Sequence, residues 1–205
     1  MKGYSLIEIL VTIAIIAIGA TLVIPGLDRA KAGAQRSACV ANLRQIGQGS
    51  LLYHADRQTI LPWCMSAEDG MGNDYWWESL APYIGSGKKV FRCPLDKNFS
   101  EASEMDMERT VSYGWNYKLA GHGNTGSNPN DFLRAQNYPR PGGVLMATDG
   151  PGGPAAGQED SWGFIDESVA HTADPKRHQG LGNALFLDGH VETLRTTEFP
   201  NNPLY

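Results

Sequence analysis

From Ile9 to Ile24 the chain carries no charge, and β-branched and small apolar residues dominate the run. A single acid, Glu8, stands at its head. Tyr4 to Ile24 meets the roughly 20 largely apolar residues that a helix needs to cross a hydrocarbon core. Beyond Pro25 the pattern turns amphipathic. Leu27, Ala30, Ala34, Ala38 and Ala41, then Leu43, Ile46, Ser50 and Tyr53, recur mostly at three- and four-residue steps among Arg29, Arg36 and Arg44. One helix from about Tyr4 to Asp56 spans roughly 80 Å at 1.5 Å per residue. Gly47 and Gly49 weaken its last turns, each by up to about 1 kcal/mol against Ala. Its outer half is expected to pack on a small sheet, with Cys39 buried or bridged on it.

From Arg57 on, short elements alternate with long polar loops. Ile60–Trp63 leaves the helix, and Tyr75–Ile84 predicts a short helix with its aromatics inward. Val90–Pro94 predicts a brief extended piece stopped by Pro94. Val111–Asn116 alternates like a strand, and Val144–Thr148 is an apolar strand ending at Asp149-Gly150. Gly121–Asn130 and Pro151–Asp160 read as loops. The strongest local signal is Asn183–Leu187, Asp188-Gly189, His190–Leu194, a β-hairpin whose Asp-Gly pair suits a two-residue type I′ turn. The class is α+β: a long helix packed on a small, loop-rich antiparallel sheet.

At 205 residues the chain has room for one domain and an anchor. Its net charge of -5, with no basic stripe, argues against a nucleic-acid partner. The three cysteines, Cys39, Cys64 and Cys93, all follow the apolar run. In an oxidising compartment they form one disulfide and leave one thiol, and the pairing is open. No Cys-x-x-Cys spacing points to structural zinc. A Gly-x-Ser-x-Gly elbow, a His-Glu-x-x-His helix and a phosphate loop are all absent from the sequence.

An acid at the head of an apolar helix needs a reason, because a charged acid deep in a bilayer costs a few kcal/mol. A cleaved secretory signal fits poorly: Glu8 falls in its early region, and Asp28, Arg29 and Lys31 crowd the cleavage site. A plain anchor leaves Glu8 as an interfacial acid. Lys2-Gly3-Tyr4-Ser5-Leu6-Ile7-Glu8 resembles the processing site of type IV prepilins and type II secretion pseudopilins. The resemblance implies that prepilin peptidase cuts between Gly3 and Tyr4 and methylates the new amine of Tyr4. It gives Glu8 the task of neutralising the N-terminal amine of a neighbouring subunit in a filament core. Pro25 stands where many pilins carry a helix-interrupting proline. The leader Met1-Lys2-Gly3 is short, and Tyr4 replaces the usual Phe.

Charge alone argues for the reverse orientation, since Arg29, Lys31 and Arg36 follow the helix and only Lys2 precedes it. The resemblance places the N-terminus in the cytoplasm, because the peptidase acts at that face. The expected division is a leader at 1–3, a transmembrane and polymerisation helix at 4–26, an amphipathic helix at 27–57 and a globular α+β domain at 58–205. The implied function is a structural, non-enzymatic subunit of a bacterial type II secretion or type IV pilus-like filament. Its partners are identical or related subunits, prepilin peptidase and the inner-membrane assembly machinery. Its place is the inner membrane in a single pass with a periplasmic body, and then the filament.

Nine residues separate His178 from Asp188, and with Gly189 they resemble the H-X9-DG signature of a bacterial prepilin-like family. Asn42–Gly47, Phe91–Pro94 and Ser112–Asn116 also resemble that family, whereas Cys64 has no place in its pattern. Asp149, His178 and Asp188 are candidate metal ligands, with His171 and His190 nearby in sequence. Related pseudopilins hold calcium in a sheet loop, so Ca2+ is the candidate ion, with Asp160 and Asp166 as further acids. The structural reading makes Asp188-Gly189 a turn and gives His178 a loop carbonyl. Two other classes are a metal-dependent enzyme using Asp149, His178, Asp188 and His190, and a carbohydrate-binding surface of Trp63, Trp76, Trp77 and Trp115.

Overall fold

The computed structural model describes residues 4–57, 76–85, 87–96, 99, 111–116, 119, 138–150, 164–165 and 177–195. Gly3, Trp63, Cys64, Asp160, Asp166, His171 and the loops expected at 121–130 and 151–160 lie outside them. One helix, α1, runs from Leu6 to Arg57 and passes through Pro25 without a break. The chain divides into two units, Met1–Ser37 and Ala38–Tyr205.

In the first unit the apolar side chains are exposed on every side of the helix, from Leu6 and Ile7 to Ile16 and Ile18. This part of α1 is long and apolar enough to cross a membrane. Thr12 and Thr21 donate their hydroxyls back to the carbonyls of Ile9 and Ile18, at 2.8 and 2.7 Å. No side-chain polar group of these threonines is then left bare in an apolar surround.

In the second unit α1 has one buried stripe, Cys39, Leu43, Ile46 and Ser50, at steps of four, three and four. Ala41, expected in that stripe, is exposed; an alanine has little apolar surface to bury, and Cys39 sets the phase instead. Gly47 and Gly49 are sites of close packing. A Cβ on Gly49 meets Ile84 Cγ1 at 2.6 Å, and one on Gly47 meets Leu185 Cδ1 at 2.9 Å. The helix thus accepts a propensity cost to let the body approach its backbone. Gly49→Ala gains up to about 1 kcal/mol in helix propensity and loses about 1–3 kcal/mol to overpacking. A net destabilisation is expected, read as a lower urea midpoint; a raised midpoint would contradict this packing.

Among the described residues, five strands form the sheet in the order β3-β1-β2-β4-β5. They are β1 (Tyr113–Asn116), β2 (Leu145–Asp149), β3 (Phe164–Ile165), β4 (Leu181–Phe186) and β5 (Val191–Arg195). The β1–β2, β2–β4 and β4–β5 pairs are antiparallel. The two-residue β3 joins the edge parallel to β1. The long helix and small, essentially antiparallel sheet agree with the α+β, pilin-like expectation.

A short helix, α2 (Trp76–Leu80), continues into a 3-10 turn at Ala81–Tyr83. Its Trp76 stacks on Trp115 with centroids 4.9 Å apart and meets Trp77 and Phe91 edge-on. All four rings are buried. Trp76, Trp77 and Trp115 therefore fill the core, and the described tryptophans form no sugar platform. Val90 and Phe91 are not extended as the sequence suggests. They close a 3-10 helix, Gly87–Phe91, that turns both side chains into the core.

The hairpin forms, but its turn differs from the expected type. Gly189 N donates to Phe186 O and Phe186 N donates to His190 O, both at 2.9 Å. Only Gly189 has a positive φ, of 87°. Asp188 keeps a negative φ, so the loop is the three-residue kind that ends in a left-handed glycine. The two adjacent positive φ values that mark a type I′ turn occur earlier, at Gln179 and Gly180, 59° and 85°. There Leu181 N donates to His178 O at 3.3 Å, and His178 bridges Leu181.

Candidate functional site

The N-terminal residues form a half capping box. Ser5 precedes the first helical residue, and Glu8 is the third residue of the helix. Glu8 Oε2 accepts the Ser5 backbone N–H at 2.9 Å, satisfying one of the donors that a helix start leaves bare. A carboxylate here also faces the positive end of the helix dipole. Tyr4 is exposed beside it.

In the body, Asn42 on α1 donates its Nδ2 to Arg92 O at 2.8 Å and to the Tyr113 hydroxyl at 3.1 Å. Next to Arg92, Cys93 forms a disulfide with Cys39, their Cα atoms 5.3 Å apart. This resolves the pairing that the sequence left open. His178 Nε2 lies 3.6 Å from Cys93 Sγ and 3.3 Å from Asp149 Oδ2. The same Asp149 oxygen accepts Asn183 N and Nδ2, at 2.7 and 2.8 Å. Arg177 carries a second buried carboxylate contact: its Nη2 lies 2.9 Å from Asp96 Oδ2 and its Nη1 donates to Ser112 O at 2.6 Å. Ser112 Oγ donates to the same Asp96 oxygen at 2.6 Å.

The sequence pieces Asn42–Gly47, Phe91–Pro94 and Ser112–Asn116 thus meet at one place, where Arg177 and His178 each face a buried acid. The role given to His178, a hydrogen bond to a loop carbonyl, is replaced by contacts to Asp149 and the disulfide. Asp149 is a metal-ligand candidate in the sequence, whereas the acid Asp96 and the amide Asn183 have no part in a functional motif there. Their only signal was a polar residue inside or beside an apolar run.

Asp188 is elsewhere. His178 stands at the start of β4 and Asp188 beyond its end, so an extended strand of roughly 3.3 Å per residue lies between them. The nine-residue spacing therefore spans a strand and its turn, and it does not gather ligands. Asp188 Oδ1 accepts His190 N at 3.1 Å and contacts His190 Nδ1 at 2.5 Å. Its other oxygen covers Gly142, and the His190 ring stacks on Phe186. Partial burial pushes the Asp188 carboxyl up, but the hydrogen bonds and charge of His190 outweigh it and hold the group below its ordinary value. The expected set of Asp149, His178 and Asp188 is not one site, and neither is the four-residue set that adds His190. Only Asp149 and His178 come together.

Burial first, and then the Asp149 carboxylate, push the Tyr113 phenol far above its usual range, with the Asn42 hydrogen bond opposing them. A raised folded value means that this stability is intact below the unfolded value near 10 and is lost as pH rises past it. The urea midpoint is expected to fall more steeply from about pH 9 to about pH 11 than it does in Tyr113→Phe. Equal slopes in the two proteins would contradict the burial of this phenol.

Residues 1–24 match the prokaryotic N-terminal methylation motif. This match supports a type IV pilin-like or pseudopilin subunit that is processed by prepilin peptidase and is structural rather than catalytic. With the apolar start of α1 it fits a membrane-anchored, single-pass protein. No curated protein and no solved structure matches the chain.

Proposed function

We propose that the chain is a structural subunit of a bacterial type II secretion or type IV pilus-like filament, cut between Gly3 and Tyr4 and methylated on Tyr4. The match over residues 1–24, with Glu8 in register behind Gly3-Tyr4, carries this reading. The N-terminus starts in the cytoplasm and the body lies in the periplasm. A disulfide between Cys39 and Cys93 fits that oxidising side. Prepilin peptidase removes Met1-Lys2-Gly3, and the inner-membrane machinery draws the mature helix into the filament beside identical or related subunits.

Glu8 has a definite task in this scheme. Before assembly its carboxylate is held by the Ser5 N–H of its own helix. In the filament it exchanges that contact for the charged amine of a neighbouring Tyr4. Two unit charges about 4 Å apart attract by ~4 kcal/mol at an effective dielectric of 20, enough to offset an apolar setting and to penalise a wrong register. Glu8→Gln is accordingly expected to be processed and membrane-inserted yet missing from sheared filaments. Unchanged filament yield would remove Glu8 from the assembly step.

A further inference from the structure

Cys39, Cys93, His178 and Asp149 are all fully buried, and one ligand atom from each lies within 4.8 Å of the others. Two sulfurs, an imidazole nitrogen and a carboxylate are the donor types of a tetrahedral zinc site. We propose that these four residues bind one Zn2+ when the disulfide is reduced, so that the metal and the disulfide are alternative occupants of one position. The proposal is independent of the filament reading.

Distances carry the argument. With Zn–S near ~2.3 Å and Zn–N or Zn–O near ~2.0–2.1 Å, a tetrahedron has edges of about 3.8 Å (S to S), about 3.5 Å (S to N) and about 3.3 Å (N to O). His178 Nε2 already stands 3.6 Å from Cys93 Sγ and 3.3 Å from Asp149 Oδ2. The two sulfurs are too close for a tetrahedral edge because they are bonded, and the remaining donor pairs lie within 4.8 Å. Breaking that bond lets them separate to the tetrahedral edge without moving the other two donors.

The surroundings suit a closed metal site. Asn183 fixes Asp149 Oδ2 through two hydrogen bonds, which orients the carboxylate as the outer shell of a metal ligand does. Asp149 Oδ1 and His178 Nδ1 are buried and have no hydrogen-bond partner among the described residues. Neither is an atom of the cluster itself: the metal would take Asp149 Oδ2 and His178 Nε2 and leave these two as the ligands' outer atoms.

The chemistry balances. A small dithiol supplies two electrons and two protons, the Cys39–Cys93 bond breaks, and the dithiol becomes its own disulfide. Zn2+ then displaces both thiol protons to solvent. The imidazole proton moves to Nδ1 and frees the Nε2 lone pair. Two thiolates and one carboxylate leave a net charge of −1 at the centre. Either occupant ties α1, through Cys39, to the segment at Cys93.

The test uses the full chain in mild detergent with Cys64→Ser, so that two cysteines remain. Zn2+ and Co2+ are titrated into the dithiol-reduced and the disulfide forms. The reduced form is expected to take up one equivalent of Zn2+, with Co2+ giving a sulfur-to-metal charge-transfer band and tetrahedral d–d bands. The disulfide form should show neither band. His178→Ala and Asp149→Asn should each weaken Co2+ binding by about 10-fold or more. If the reduced chain loses its near-ultraviolet dichroism, Zn2+ should restore it. Absence of a charge-transfer band, unchanged affinity in both variants, or failure of Zn2+ to restore a reduced, unfolded chain would each overturn the proposal.

Discussion

Replacing both Cys39 and Cys93 by Ser is expected to lower the stability of the body by about 3–4 kcal/mol. The disulfide closes a segment with a sequence separation of 54. In the chain-entropy account a loop of that size removes about 4 kcal/mol of freedom from the unfolded chain. Nothing else in the described body ties α1 covalently to the segment that carries Arg92 and Cys93. Asn42 holds the same segment through one carbonyl, worth about 1 kcal/mol, so the disulfide dominates. Urea denaturation of the full chain, metal-free and without reductant, measures the difference. A loss below about 1 kcal/mol would mean that the disulfide does not constrain the unfolded state as the account requires.

The second large effect is expected at Arg177. Its guanidinium and the Asp96 carboxylate are almost fully enclosed, with side-chain exposures of 3% and 2%. Removing one member of such a pair strands the other charge, which costs about 3–5 kcal/mol, whereas replacing both by apolar or neutral groups costs far less. Arg177→Ala should therefore be among the most damaging single substitutions in the body. Arg177→Met combined with Asp96→Asn should recover much of the loss, although Ser112 O then lacks the Arg177 donor. A double-mutant cycle on urea midpoints gives the coupling. Additive losses would show that the two groups do not act as a pair.

These two predictions fall on residues of unequal legibility. Cys39 was visible as a bridged or buried residue on the helix, but its partner was not, because pairing depends on how the chain returns to the helix. Arg177 and Asp96 carried no periodic signal and became a pair only through that return. The hydrophobic pattern was most informative where burial follows one face. Leu43, Ile46 and Ser50 lie on the buried stripe, whereas β1 and β2 form where expected but are buried at every position. It was least informative where a local turn competes. Val90 and Phe91 read as the start of a brief extended piece but sit in a 3-10 helix. Asp188-Gly189 read as type I′, but Asp188 keeps a negative φ while Gln179-Gly180 takes the paired positive values.

The candidate site divides in the same way. The Gly3-Tyr4-Glu8 register is complete in the sequence, because a methylation motif of this kind is a short linear segment. The His178–Asp188 spacing was equally visible, yet its meaning was not. A fixed number of residues is as consistent with one strand and its turn as with two ligands, and only the position of β4 between them decides. The structure brings Asp149 to His178, and Cys93, which completes the contact, stands in the sequence as a disulfide candidate and within Phe91–Pro94.

Mass spectrometry of the N-terminus of the mature protein, isolated from the envelope of cells with an active prepilin peptidase, tests the central claim most directly. The account predicts a chain beginning at Tyr4 and carrying one methyl group on its amine. An intact Met1, or a chain beginning after Ala32, would contradict it.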